Sequence, residues 1–501
     1  MSEHRFCILI EWLIRAANAS TPFPPSDTAA RLARRLRGRK DTRMMLLLWL
    51  LAQSIAPAQP PVQGPPISSP FMGSVPASAT VTAEPLPLSI KDAVQRALQH
   101  NLGLLLAEES AATAHGARWR ALADLLPNLS GSLAERRQVL NLEAFGFPAK
   151  PPIVGPFNVF DARVNLSQPV VDLAALNDAR AASANERAER YGIKDARDLV
   201  TLVAVNLYLE AVAQQSRIEM VHAQRDTAEA LYKQATDLKG SGLVAGIDVL
   251  RAQVQLQVQR QRVIVAENEF EKTKLQVARA IGLPVAQPFT LTDKIPYAPM
   301  PPVTLEQALQ RALESRPDFL ALRERVAAAE AERRAANAAR LPSLHLDADY
   351  GAIGQTTETL HATYTIAGTL RVPLFDAGRT RARRIQAASL LNQRQAELAD
   401  FRSRVEYDVR AALLDVRAAE QQLEASQTGL QLANDELQQA RDRFAAGVAS
   451  NLEVTQAQEA VAAASDTYIG ALYGHNLSKA SLARALGIAE QTITSYLGGL
   501  Q

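Results

Sequence analysis

The chain has 501 residues, 47% apolar and 21% charged, which is enough for a large core and too balanced for a chain disordered throughout. A net charge of +2 gives no sign of nucleic-acid binding. Only 5% of residues are aromatic, and Ala, Gln, Arg, Leu and Glu fill long stretches, a composition of long helices or coiled coils rather than of a bulky globular core.

The basic run RLARRLRGRKDTR (Arg31 to Arg43) is followed by the apolar run MMLLLWLLA (Met44 to Ala52) and by Ala56-Pro57-Ala58. Together they read as an export signal cleaved near Ala58, giving a mature chain from Gln59. The apolar run is too short to span a bilayer as an anchor. Residues before Arg31 fit no ordinary leader, so translation is expected to start inside the stated sequence. Cys7, the only cysteine, lies in that part. The mature chain is expected to have no disulfide framework, no thiol chemistry and no cysteine placed to receive a lipid.

Residues 1–58 are thus a leader region and 59–85 a Pro-rich, flexible segment. From there the chain repeats itself. SIKDAVQRALQHN (Ser89 to Asn101) returns as TLEQALQRALESR (Thr304 to Arg316), and Leu126-Pro127 as Leu341-Pro342. Gly242 maps to Gly447, Asp248 to Glu453, and ARAIG (Ala278 to Gly282) to ARALG (Ala483 to Gly487). Repeat 1 is placed at 86–283, a linker at 284–302, repeat 2 at 303–488 and a tail at 489–501. Each repeat is predicted to hold a short helix, a Leu-Pro stop, two strands, a proline, a very long helix, a glycine turn and another helix.

The strand segments alternate with period two. In NVFDARVNLS (Asn158 to Ser167), Phe160, Ala162, Val164 and Leu166 oppose Asp161, Arg163, Asn165 and Ser167. In ATYTIAGTLRV (Ala362 to Val372), Tyr364, Ile366, Leu370 and Val372 oppose Thr363, Thr365, Thr369 and Arg371. LHLDADYGA (Leu344 to Ala352) alternates likewise, and LSGSLAERR (Leu129 to Arg137) more weakly. Any one of these suits a soluble sheet with one wet face; with an export signal, runs of this length also suit transmembrane β-strands. Four strands cannot close a membrane barrel, and an open edge in lipid strands backbone donors and acceptors. If the strands span a membrane, the chain must therefore oligomerise.

From Asp376 to about Ala445 there is no proline and one glycine, Gly429, so a single helix of about 100 Å is predicted. Val409, Val416, Leu423, Leu430, Leu437 and Phe444 recur every seventh residue, interleaved with the smaller Val405, Ala412, Ala419, Ser426, Ala433 and Ala440. That is a coiled-coil seam. The matching series in repeat 1, from Leu207 to Ala235, is interrupted by Gln214 and Arg225. These read as a solvated face, or alternatively as a seam able to loosen. Gly240, Gly242 and Gly246 in one copy and Gly447 in the other permit the hairpin reversals. Pro169 and Pro373 mark the strand-to-helix junctions, where a missing N–H ends the ladder.

These features, with the turn patterns GLVAGIDVLRAQ (Gly242 to Gln253) and RFAAGVASNLEVTQAQ (Arg443 to Gln458), resemble the TolC-like outer-membrane efflux proteins over roughly Leu86 to Ile488. RVPLFDAGRTRA (Arg371 to Ala382) and LARALG (Leu482 to Gly487) are similar to the family's patterns at the strand-to-helix junction and at the repeat end. The resemblance implies a mainly α protein with transmembrane β-strands, forming a homotrimer in the outer membrane. Four strands per chain would make one twelve-stranded β-barrel, continued by a periplasmic α-helical tunnel. It implies a passive exit duct whose hairpin tips dock a periplasmic adaptor (a membrane fusion protein) of an inner-membrane pump. The tip residues carried over are Gly242 and Asp248 in one hairpin and Arg443, Gly447 and Glu453 in the other. The two tips should differ, because Lys239, Gly240 and Gly246 stand where the second has Phe444, Ala445 and Asn451. Such tunnels close near the tips with acidic residues inside, so Asp435 and Glu436 are candidates for a cation-focusing ring, or else solvate a helix face.

No converging acid, base, metal or nucleophile motif occurs, and His4, His100, His115, His222, His345, His361 and His475 show no ligand spacing. Neither an enzyme nor a cofactor is expected. The competing reading is a periplasmic coiled-coil adaptor or scaffold, which would flank a single hairpin with compact β-rich modules.

Overall fold

The computed structural model describes residues 69–76, 81–148, 150–242, 244–294, 297–300, 303–446, 448 and 451–496, which fall in one compact unit. The export signal, its cleavage site, Cys7 and the tip glycine Gly447 lie outside the described residues.

Each repeat opens on two short helices where one was expected. In repeat 1, β1 (Leu86–Leu88) leads to α1 (Ile90–His100) and α2 (Leu102–Ala123). Ser89 and Asp92 form a reciprocal capping box for α1, and Asn101 caps α2 by accepting from the Gly103 N–H. Repeat 2 follows β4 (Phe289–Leu291) with α5 (Leu305–Ser315) and α6 (Pro317–Ala338), and here Thr304 and Gln307 form the box. The break falls at Arg316 because the residue before a proline is driven out of the helical region; its ψ is 113°. β1 and β4 pair in parallel and tie the first repeat to the linker.

The strands are β2 (Asn128–Asn141), β3 (Ile153–Val171), β5 (Ser343–Gly354) and β6 (His361–Arg371), in one antiparallel sheet ordered β2-β3-β5-β6. At the junctions the two copies depart from expectation. Pro169 does not end its ladder: β3 runs on to Val171, with the register shift between Pro169 and Val171 absorbing the missing donor. Asp172 then caps α3 (Leu173–Gly240) directly, accepting from Ala174 and Ala175 N–H. In the second copy β6 stops at Arg371, and residues 372–378, including Pro373, separate it from α7 (Arg379–Ala445). Gly378, at φ 86°, is the N-cap there, and Asp376 holds the turn by accepting from Gly378 and Thr380 N–H at 3.1 and 2.7 Å.

α3 and α7 are 68 and 67 residues long, about 100 Å each. They turn into α4 (Gly246–Ile281) and α8 (Asn451–Ala485); a short α9 (Ala489–Tyr496) begins what was expected to be a tail. Along α7, Val405, Val409, Ala412, Val416, Leu423, Ser426, Ala433, Leu437 and Ala440 are all buried, as the seam requires. In α3 the interrupting Gln214 and Arg225 are half-buried, and Arg225 bonds to neighbouring Asp226.

The helices form rows. Nearer the sheet, α2 packs on α3, α3 on α6, and α6 on α7; beyond them α4 packs on α3, α3 on α8, and α8 on α7. α3 and α7 therefore run through both rows. The largest apolar cluster lies between the rows, where α1, β1, β4 and the middle of α3 meet. Tyr208 anchors it, donating to the Leu88 carbonyl and Asp293, each at 2.8 Å.

Candidate channel wall and docking tips

Register fixes two chemically distinct faces across all four strands. Gly131, Val164, Tyr350 and Tyr364 lie in one line across the sheet, and Leu129, Leu166, Ala348 and Ile366 in the next apolar line. The intervening lines are Ser132, Arg163, Gly351 and Thr363, then Ser130, Asn165, Asp349 and Thr365. The apolar face is turned outward, with Tyr364 at 74% and Ile366 at 71% exposure. On the polar face Arg163 bridges three strands: it bonds Asp161 at 3.0 Å on its own strand, Asp349 on β5 and Thr363 on β6. Ser167 donates to Asp347 at 2.7 Å. A sheet apolar on the exposed side and hydrogen-bonded on the other is suited to lipid outside and water inside.

The unpaired edges are β2 and β6, the outermost strands in the order. Their neighbours in sequence, α2 and α7, are also the outermost helices of the row beside the sheet. α7 keeps apolar side chains exposed away from its seam, at Tyr407, Leu414 and Leu432, and α4 does so at Ile247, Leu250, Val254 and Ile264. Each flank of the chain is thus unpartnered in both strand and helix.

At the tips, Arg443 and Glu453 are brought together across the second hairpin at 3.3 Å. In the first hairpin Gly242 has φ +74° with open space around it, and Asp248 pairs locally with Arg251 at 3.4 Å. A side chain at Gly246 would touch the end of Lys239. Asp435 and Glu436 are exposed, with no ion-pair partner among the described residues.

Ion pairs that sequence reading did not anticipate tie the repeats together. Arg217 of α3 meets Asp466 of α8 at 2.7 Å, and Arg262 of α4 meets Glu459 of α8 at 3.0 Å. Burial pushes the Glu459 carboxyl up, but bonds from Arg262 and Gln255 outweigh it and hold the group below the usual range. Between the rows, the buried Arg316 bonds Asp318 and Asp408, while Arg484 bonds Asp195 and reaches Asp318. Arg197 holds Glu490 of α9. Capping motifs and periodicity carry no trace of these partners, which lie up to 293 residues apart. Higher up, the buried Glu186 is held down to about 2 by its hydrogen bond to His115 and by Arg118 and Arg190.

Residues 308–488 match the family described as Outer membrane efflux protein. That segment is similar to the outer membrane efflux proteins. The chain is similar to the pyoverdine export outer membrane protein OpmQ of Pseudomonas putida, 26% identical over 48% of the chain and 51% of that relative. The chain therefore spans about half the length of that curated relative. It is 24% identical to the alkaline protease secretion protein AprF of Pseudomonas aeruginosa over 67% of this chain and 71% of that one. Its fold is that of the CmeC outer membrane channel of Campylobacter jejuni, at a TM-score of 0.69 and 19% identity over 82% of this chain and 90% of that one. The fold class is that of the TolC-like outer membrane channels. The adaptor reading called for a single hairpin flanked by compact β-rich modules; the chain instead carries two hairpins, α3–α4 and α7–α8, each following a pair of strands.

Proposed function

We propose that the chain is the outer-membrane channel of a tripartite efflux or secretion system: a homotrimeric, passive exit duct from periplasm to exterior. One observation carries this reading: the unpaired strand edges and the unpartnered helices share the same two flanks, β2 with α2 and β6 with α7. A rotation that pairs β6 of one copy with β2 of the next also brings α7 of the first against α2 and α4 of the second. Such a contact is head-to-tail and closes only as a ring. With three copies, twelve strands satisfy every backbone edge in lipid, and Arg163, Asp161 and Asp349 line the water-filled interior.

The two repeats, at 86–283 and 303–488, would then present six hairpin tips at the far end of the tunnel. There Gly242, Asp248, Arg443, Gly447 and Glu453 serve as the docking surface for a periplasmic adaptor linked to an inner-membrane pump. Asp435 and Glu436, about three turns before the second tip, form the ring that raises cation occupancy. The duct assigns no catalytic step and no cofactor.

The test is the mass of the protein extracted from outer membrane in mild detergent, by light scattering with the detergent contribution subtracted. Three chains are expected; a detergent-independent monomer would overturn the reading.

A further inference from the structure

At the strand-to-helix junction the two repeats carry different chemistry at matching positions. In repeat 1, Val170 and Val171 still belong to β3, and the first turns of α3 place Ala175, Asn177 and Ala179 against the protein, the last two buried. In repeat 2 the matching residues are Leu374 and Phe375, then Arg379, Arg381 and Arg383, with Arg384 following.

Leu374 and Phe375 are 92% and 90% exposed, the most exposed large apolar side chains among the described residues. Leu374 continues the outward apolar row of Tyr364, Ile366, Leu370 and Val372 at the same period of two, and Phe375 follows it, both beyond the end of β6. The apolar face therefore ends on two bare side chains, and a band of arginine begins four residues later. Arg383 is paired with Asp178 at 3.3 Å, and Arg384 donates to the neutral Asn337 at 2.8 Å. Arg379 and Arg381 are exposed with no ion-pair partner among the described residues. The nearest carboxylate in sequence, Asp376, is already occupied by the Gly378 and Thr380 N–H groups.

We propose that the segment from Leu374 to Arg384 is a membrane-surface anchor for anionic phospholipid in the periplasm-facing leaflet, with Leu374 and Phe375 among the acyl chains and the arginines on the phosphates. This rests on the outer-membrane channel reading. Charge decides between lipid and a neighbouring copy as the occupant. The flank of a neighbour at this level is the end of α2, where Arg118 is already held by Glu186 and Arg120 and Asp124 offset each other. That end carries no net charge to draw the arginines, whereas a headgroup phosphate complements the unpaired guanidinium groups in bidentate fashion. Arginine beside an apolar rim at the end of a spanning segment is the pattern that binds anionic lipid surfaces.

The experiment uses the full chain purified in mild detergent and native mass spectrometry with phosphatidylglycerol or phosphatidylethanolamine added. The wild-type protein should retain phosphatidylglycerol preferentially. R379Q/R381Q should lower that retention on the order of tenfold, leaving phosphatidylethanolamine and the oligomer unchanged. L374S/F375S should weaken both lipids while keeping the preference. Equal retention of the two lipids by wild type overturns the anchor, and so does a variant that falls into single chains, because the segment would then join copies. A wild-type protein that is monomeric without detergent overturns the channel reading itself, a result separate from either.

Discussion

Three glycines should respond in opposite directions to the same added methyl group, and the structure says why. Gly282 and Gly487 end the matching ARAIG and ARALG segments at φ +75° and +71°. A Cβ at Gly487 would lie 2.6 Å from Arg316 Cα and 2.7 Å from its nitrogen, backbone that cannot move without unseating the α5–α6 junction. At Gly282 the Cβ would lie 2.3 Å from His100 Cβ, at the equivalent junction of α1 and α2. Alanine adds strain of about 1–2 kcal/mol from the left-handed backbone and about 1–3 kcal/mol from overpacking. Gly487→Ala should therefore cost about 2–5 kcal/mol, and Gly282→Ala a similar amount. Gly429 sits inside α7 with nothing within 4 Å, so Gly429→Ala should stabilise by about 0.5–1 kcal/mol through the unfolded chain. Thermal unfolding of the detergent-solubilised oligomer, followed by intrinsic fluorescence, reads all three. A Tm for Gly487→Ala within 1 °C of wild type, at about the precision of such a scan, would refute the reasoning that these repeat-end glycines seat the helix pairs.

At the second tip, Arg443→Glu breaks an exposed pair worth at most about 1 kcal/mol, so it should lower export and adaptor binding without changing Tm; unchanged export would remove Arg443 from the docking surface. Gly447→Val should likewise lower export with the oligomer intact on native gels. Replacing Asp435 and Glu436 by Asn and Gln should reduce the cation selectivity of the pore in planar bilayers, and equal reversal potentials would exclude the acidic ring. Lys479 is fully buried, donates to the Ala298 carbonyl at 2.8 Å, and is pushed down to about 8 by burial. The folded state holds this ammonium less readily than the unfolded chain, so its destabilising effect is complete below pH 8 and fades as pH rises toward 10.5. Lys479→Met should therefore raise stability at pH 7 by on the order of 2 kcal/mol, with the gain shrinking by pH 9.5; a pH-independent difference would refute the assignment.

What the sequence exposes is whatever repeats locally. The heptad series from Val405 to Phe444 marks the side of α7 that is buried, because each seam residue is set by its neighbours three and four positions away. The alternation in β6 likewise marks its outward face before any partner strand is known. The junctions were less legible. Pro169 forbids one ladder bond, but a register shift tolerates that loss, and only the partner strand β5 shows that pairing resumes at Val171. Nor does the matching Pro-x-x-Asp spacing reveal that residues 372–378 form an open connection while Asp172 alone makes the corresponding turn. The cluster of Arg316, Asp408, Arg484 and Asp195 was illegible for a different reason. Its members come from three separate helices, α7 and α8 of one repeat and α3 of the other, and from the α5–α6 break, and charge composition alone does not choose among possible partners.

On the trimeric reading proposed above, the duplication explains why the chain would pair with copies of itself. Within one chain the second repeat supplies the neighbour that the first lacks: β5 pairs with β3, α6 packs on α3, and α8 packs on α3 from the other row. The same operation leaves β6 and α7 waiting for a partner of the kind that β2 and α2 provide. Sheet and helices stay in step because each strand is joined to a helix of its own flank through a connection of seven residues or fewer. A slip of one residue in the β2–β6 contact would turn the apolar row inward, and the long seams of α4 and α7 would lose register with it. Closure in the membrane and closure of the tunnel are therefore a single condition. A substitution at an edge strand that blocks pairing should be detected at the helical tips, some 100 Å away along α7 at 1.5 Å per residue.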